Sequence, residues 1–195
     1  MLMVPVSRVV TPNILQRCQQ RFCYSISELI MLQKIPRAAW LWYLLALAVI
    51  ALDLLSKYWV STALEYGRPV VFTSFFNFTL LHNPGAAFSF LSDAGGWQRW
   101  FFTTIAAVVS VMLVIWIARI AAIKKLESFA LTMILGGAVG NLYDRIQHGY
   151  VVDFIVVHYQ DNYFPAFNLA DSAITLGAIL IILDLFLTRE KPTDA

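Results

Sequence analysis

The chain has 195 residues, 59% of them hydrophobic and only 13% charged, where soluble domains carry about 45–50% apolar and about 25% charged residues. Fourteen Lys and Arg against twelve Asp and Glu leave a net charge of +2. This excludes a disordered chain, a collagen-like repeat and a nucleic-acid-binding protein with a concentrated basic patch. The apolar residues fall in runs of membrane length.

Residues 1–34 read as an N-terminal extension, either poorly ordered or the product of an upstream start codon. They hold Pro5, Pro12, Cys18, Cys23 and scattered Arg and Gln, with no spanning apolar run and no signal-peptide core or cleavage site. Met31, just ahead of Lys34 and Arg37, marks an alternative start. The two cysteines suggest no disulfide framework. Residues 35–195 read as a single membrane domain.

Ala38–Leu55 is apolar apart from Asp53 and predicts a first helix over about 38–60. The next segment, about 61–98, is not a simple tether. Val70–Thr73 and Phe75–Leu81 are β-branched and aromatic at strand length, with turns at Gly67-Arg68-Pro69 and Asn83-Pro84-Gly85. They predict a small sheet or hairpin against the membrane surface, with Trp97 and Trp100 in the interfacial belt. Trp100–Ala118 is a 19-residue uncharged run between Arg99 and Arg119, and predicts a second helix over 99–119. Ser128–Tyr143, uncharged but with Gly136, Gly137 and Gly140, predicts a third over 126–144. Leu169–Leu187, apolar apart from Asp171 and Asp184, predicts a fourth over 169–188.

Four spans put both termini on one side. Ten of the fourteen basic residues lie on that side: five up to Arg37, then Arg119, Lys124, Lys125, Arg189 and Lys191. The positive-inside rule makes it cytoplasmic. The expected architecture is an α-helical polytopic membrane protein with four transmembrane helices and a small extracytoplasmic β-cradle.

An ionisable group in a membrane helix is a functional hypothesis by default. The orientation brings Asp53, Lys57, Asn141, Asp144, Arg145, Asp153, Asn168 and Asp171 to one depth, the outer membrane–water boundary. Several have bland explanations. Asp53 and Lys57 share a face at i,i+4 and form an ion pair. Adjacent Asp144 and Arg145 are candidates for a second pair ending span three. Asn168 suits the N-cap of span four. Asp184 is interfacial. His82, His148 and His158 have no ligand spacing, so no metal site is expected. Asp153, placed in the loop before span four, and Asp171 follow apolar residues and have no basic neighbour in sequence.

No nucleophile elbow, zinc-helix motif or phosphate loop occurs. Two carboxylates remain. A close pair in a low-dielectric site cannot both ionise, so they share a proton. The ionised member can take a proton from water while the neutral one donates to a scissile carbonyl. A proton relay in a proton-coupled transporter or channel subunit is the competing use of such residues. Against it, the charges gather at one surface, with none midway along spans two or three.

Five ordered blocks decide between these uses: Asp53-Leu54-Leu55-Ser56-Lys57, Asn83-Pro84-Gly85-Ala86-Ala87-Phe88, Gly136 to Arg145, Val151-Val152-Asp153-Phe154 and Phe167-Asn168-Leu169-Ala170-Asp171. Over about residues 36–188 the chain resembles the bacterial lipoprotein signal peptidases (signal peptidase II). The resemblance implies an aspartyl endopeptidase of the bacterial inner membrane. Such an enzyme removes the signal peptide from diacylglyceryl-modified prolipoproteins, cleaving before the lipidated cysteine on the periplasmic side. It implies Asp153 and Asp171 as the catalytic dyad. Asn83, Asn141, Arg145 and Asn168 then match residues around dyad and substrate, and Asp53, Lys57 and Asp144 a structural polar network. Neither metal nor organic cofactor is implied. Membrane lipids and prolipoprotein are the implied partners, globomycin the implied inhibitor, and a monomer the implied state, with no nucleic acid. Phe88 is a candidate substrate clamp.

Overall fold

The computed structural model describes residues 35–85 and 96–187. The N-terminal extension with Cys18, Cys23 and Met31, the stretch holding Ala86, Ala87 and Phe88, and Arg189 and Lys191 lie outside the described residues. Four long helices appear: α1 (Arg37–Ala63), α2 (Trp97–Ile120), α3 (Lys125–Gln147) and α4 (Leu169–Leu187). Their bounds agree with the sequence expectation to within three residues at each end. Strands β1 (Val70–Thr73) and β2 (Phe76–Asn83) fall between α1 and α2. Strands β3 (Val151–Tyr159) and β4 (Asn162–Tyr163) fall between α3 and α4.

Helices α1, α2 and α4 are long and apolar enough to cross a membrane on composition alone; α3 is not among them. The reason lies in its position. Helix α3 packs against each of the other three helices. Ser128, Thr132, Asn141 and Asp144 are all buried on it, so its polar groups meet protein and not lipid. Helix α1 shows the opposite pattern, presenting Trp40, Leu41, Leu44, Leu47, Leu52 and Leu55 outward.

The glycines of α3 set how closely its neighbours approach. A Cβ at Gly136 would lie 2.6 Å from the Val49 side chain of α1, and one at Gly137 would strike the Ala170 carbonyl of α4. This is the small-residue packing that membrane helices use in place of a hydrophobic driving force. Ala46, Leu113, Ile117, Leu131 and Leu135 form the apolar cluster between α1, α2 and α3.

The four strands form one antiparallel sheet in the order β1-β2-β3-β4. The hairpin expected at 70–81 is present, with Phe72, Phe76 and Phe78 in mutual edge contact. Residues 151–154 are not the loop expected from the sequence. They open β3, a nine-residue strand paired along β2 from Phe76↔Val157 to Asn83↔Val151. The partner lies about seventy residues away in sequence, and the β-branched run Val151, Val152, Ile155, Val156 and Val157 suits a covered strand. Val60 of α1, Leu80, Val152 and Phe154 form a second apolar cluster, which fastens the sheet to the end of α1.

Candidate active site

Asp153 sits on β3 opposite Leu81, and Asn83 is opposite Val151. Asn83 and Asp153 are therefore diagonal neighbours on one face of the sheet. The Asn83 amide donates to Asp153 Oδ2 at 3.1 Å, and its Oδ1 accepts the Gly85 N–H at 3.0 Å. The strand thus delivers a carboxylate and its donor together.

Asp171 lies in the first turn of α4. The Asn168 side chain caps that helix by accepting the Asp171 N–H at 2.9 Å, and Asp171 Oδ2 accepts the Asn168 N–H at 3.2 Å. This reciprocal pair is a capping box with Asn and Asp in the usual Ser/Thr and Glu places. Asn168 thus caps α4 as its place before span four suggests, and Asp171 lies in the helix as expected; only Asp153, expected in a loop, is instead held by a strand.

Asn168 joins the two carboxylates. It is fully buried, and its Nδ2 donates to Asp153 Oδ1 at 2.8 Å while its backbone holds Asp171. Asn141 supports the other side, donating to Asp171 Oδ1 at 2.8 Å and accepting from Asn168 at 3.1 Å. Burial, then the charge of Asp171, push the Asp153 carboxyl up to about 7, against the downward pull of Asn83, Asn168 and Lys57. Two carboxyl groups coupled in this way titrate as a unit.

The cations divide differently from the sequence expectation. Asp53 and Lys57 do pair, at 2.7 Å. Asp144 does not pair with Arg145; it turns to Lys57 at 2.9 Å. The Arg145 guanidinium donates to the Gly85 carbonyl at 3.1 Å and stands over the Phe102 ring at 5.6 Å. It remains near the carboxylates and ties the turn after β2 to α3. His82 and His148 are remote in sequence yet both stack on Tyr150. Burial and the neighbouring His148 lower the pKa of His82.

Asp153, Asp171, Asn83, Asn141 and Arg145 line one end of a groove of about 590 Å³. Phe164–Phe167 and the α4 side chains Ile174, Leu176 and Ile179 form its apolar walls. The segment before α4 was missed in the sequence, where only its two phenylalanines hinted at an apolar wall. The groove follows a helix whose Leu176 and Ile179 are themselves exposed along the span. Chemically, the site offers two carboxyl groups, a cation and amide donors at the head of an apolar channel.

Such a bundle, with a small outer sheet and a polar end to an apolar groove, is a multi-pass membrane protein of enzyme type. Two solved structures, each described as a bacterial membrane enzyme, share the fold. One aligns over 79% of this chain and 93% of its own with a TM-score of 0.69 at 33% identity. The other aligns over 77% and 94% with a TM-score of 0.62, also at 33% identity. The family model for Signal peptidase (SPase) II matches residues 45–187, and the chain belongs to that family. It is 62% identical over 170 residues to a lipoprotein signal peptidase of Cellvibrio japonicus, covering 85% of this chain and 100% of that one. A lipoprotein signal peptidase of Teredinibacter turnerae is 58% identical over 153 residues, covering 78% and 91%. Nothing in these relatives favours a transporter.

Proposed function

We propose that this chain is an aspartic endopeptidase that cleaves the signal peptide from diacylglyceryl-modified prolipoproteins, with Asp153 and Asp171 as its catalytic pair. The observation that carries the reading is the bridging of these two carboxylates by Asn168 at the head of an apolar groove. Family membership supports the substrate class. Arg37, Arg119, Lys124 and Lys125 at the opposite helix ends support cytoplasmic termini and a periplasmic site in the inner membrane.

In this mechanism the pair carries one proton. The ionised carboxylate takes a proton from a water molecule as its oxygen attacks the scissile carbonyl carbon. The neutral carboxyl donates to the carbonyl oxygen, giving a tetrahedral diol. Collapse of the diol returns one hydroxyl proton to the carboxylate that had donated it and breaks the C–N bond, while the proton gained from water passes to the departing amine. Asn83, Asn141 and Asn168 keep the two carboxyl groups oriented, and Arg145 holds the turn over them. The apolar groove takes the signal segment, so the scissile bond stops where the walls give way to polar groups. The same reading carries over globomycin as an inhibitor and a monomer as the working unit.

The test is cleavage of a lipidated prolipoprotein by purified protein in detergent with EDTA present, beside Asp153→Asn and Asp171→Asn. Wild type should cleave, and each variant should melt normally yet lose about 10²–10⁴-fold in kcat. Near-normal turnover by either variant would remove that residue from the mechanism. An inert wild type would reopen the transport reading.

A further inference from the structure

Two buried carboxylates take no part in the chemistry above. Asp53 on α1 and Asp144 on α3 are 0% and 2% exposed. Both lie against the same ammonium, Lys57 Nζ, at 2.7 and 2.9 Å. Each also accepts one backbone N–H from a different element. Asp53 Oδ1 takes the Ala170 N–H at 2.9 Å, and Asp144 Oδ2 takes the Val152 N–H at 3.1 Å. Ala170 directly precedes Asp171, and Val152 directly precedes Asp153. One device is used twice, once behind each member of the pair.

The same ammonium also reaches the pair through side chains. Lys57 donates to Asn141 Oδ1 at 2.9 Å. Asn141 in turn donates to Asp171, and its Oδ1 receives Asn168, which donates to Asp153. Space has been kept for this arrangement, because a Cβ on Gly140 would strike Asp53 Oδ2. These bonds also satisfy backbone N–H groups and balance buried charge, yet the helix cap and the strand pairing have supports of their own. Asn168 already caps α4, and β3 is already paired along β2.

We propose that Lys57 is the positioning residue of the Asp153–Asp171 pair, holding two carboxylate struts that each fix the peptide unit ahead of one catalytic aspartate. The proposal rests on the catalytic reading given above. Lys57 is buried and is not among the residues that line the groove. It sets the separation and facing of the two carboxyl groups, and its positive charge also bears on their shared proton. Asp153 is faced by the charges of Asp171 from α4, Arg145 from α3 and Lys57 from α1, and by the neutral Asn83 and Asn168. Both cations of this set bear on Asp153, and Lys57 pulls its carboxyl down.

The experiment compares Lys57→Met, Asp144→Asn and the double variant with wild type, using a lipidated prolipoprotein in detergent. kcat and KM are resolved separately across pH, and melting is followed in parallel. Asp153→Asn and Asp171→Asn are run beside them. Lys57→Met should lower kcat about 100-fold, as expected for misplaced reacting groups, with KM nearly unchanged. The alkaline limb of its kcat profile should move to higher pH, because a cation that favoured loss of the shared proton is gone. The double variant should lose no more than Lys57→Met alone, since both act through one strut. A Lys57→Met protein that melts lower but keeps wild-type kcat and an unmoved profile overturns the proposal and leaves Lys57 as a charge-balancing residue. If Lys57→Met does not fold, Asp144→Asn decides. It keeps an acceptor for Val152 and should still lose about tenfold in kcat; full activity with an unmoved profile overturns the proposal. Should Asp153→Asn or Asp171→Asn stay active, the catalytic reading itself fails. If both are dead while Lys57→Met is unaffected, only the positioning role fails.

Discussion

Two buried clusters occupy opposite ends of the helix bundle and are built of opposite materials. At one end Leu113, Ile117, Leu131 and Leu135 close an apolar cluster. At the other Asp53, Lys57, Asn141, Asp144 and Asn168 close a polar one. Ile117 and Asp53 are equally inaccessible, at 0% exposure. The difference shows what burial accomplishes when the surroundings are lipid. A leucine gains little by leaving acyl chains for protein, so the apolar end depends on close fit and adapts to changes of shape. A buried carboxylate or ammonium needs its partners at set distances and directions, so the polar end adapts poorly. One end holds the helices together; the other decides where two carboxyl groups point.

Crowding the polar end tests this contrast most severely. Gly140→Leu would drive a side chain into the Asp53 carboxylate. It should abolish turnover and destabilise the fold by about 1–3 kcal/mol, seen in cleavage assays and detergent melts together. Retained activity would show that the polar end adapts as readily as the apolar one. Next in size is the response to pH. Asp153 is pushed up to about 7, so the pair loses its shared proton as pH rises through that value. kcat should then fall, approaching tenfold per unit further up. A profile flat to pH 9 would contradict a shared proton. The smallest effect on turnover belongs to the apolar end. Leu131→Ala should lower stability by about 2 kcal/mol and leave kcat at low temperature unchanged. A large fall in kcat would mean that the two ends are mechanically coupled.

The helices were legible because membrane length and charge asymmetry are properties of the chain itself. The β1–β2 hairpin was legible for a similar reason, its turns and aromatics being local. β3 was not, although its β-branched residues were in plain view. A strand next to a helix end reads as a loop until its partner is known, and that partner is β2, far back in the chain. Ser172 and Thr175, which also line the groove, were not named from sequence; the charged and amide residues of the site were, by depth and by resemblance. Their pairing was not legible. Nothing in the adjacency of Asp144 and Arg145 reveals that the carboxylate turns to Lys57 while the guanidinium turns to Gly85. Such choices depend on which backbone amides lie nearby, and those are fixed only once strand, cap and helices have met.

The groove beside α4 carries one more consequence. Its walls run down a helix whose Leu176 and Ile179 are exposed along the span, so a membrane-anchored occupant arrives sideways, by diffusion in two dimensions. Its effective concentration is then a mole fraction of the membrane or micelle and not an amount per litre of buffer. Adding empty detergent at constant protein and substrate dilutes the encounter surface and slows the enzyme, with no change in the bulk concentration of either. A Michaelis constant for this protein has meaning only when the amphiphile around it has been counted.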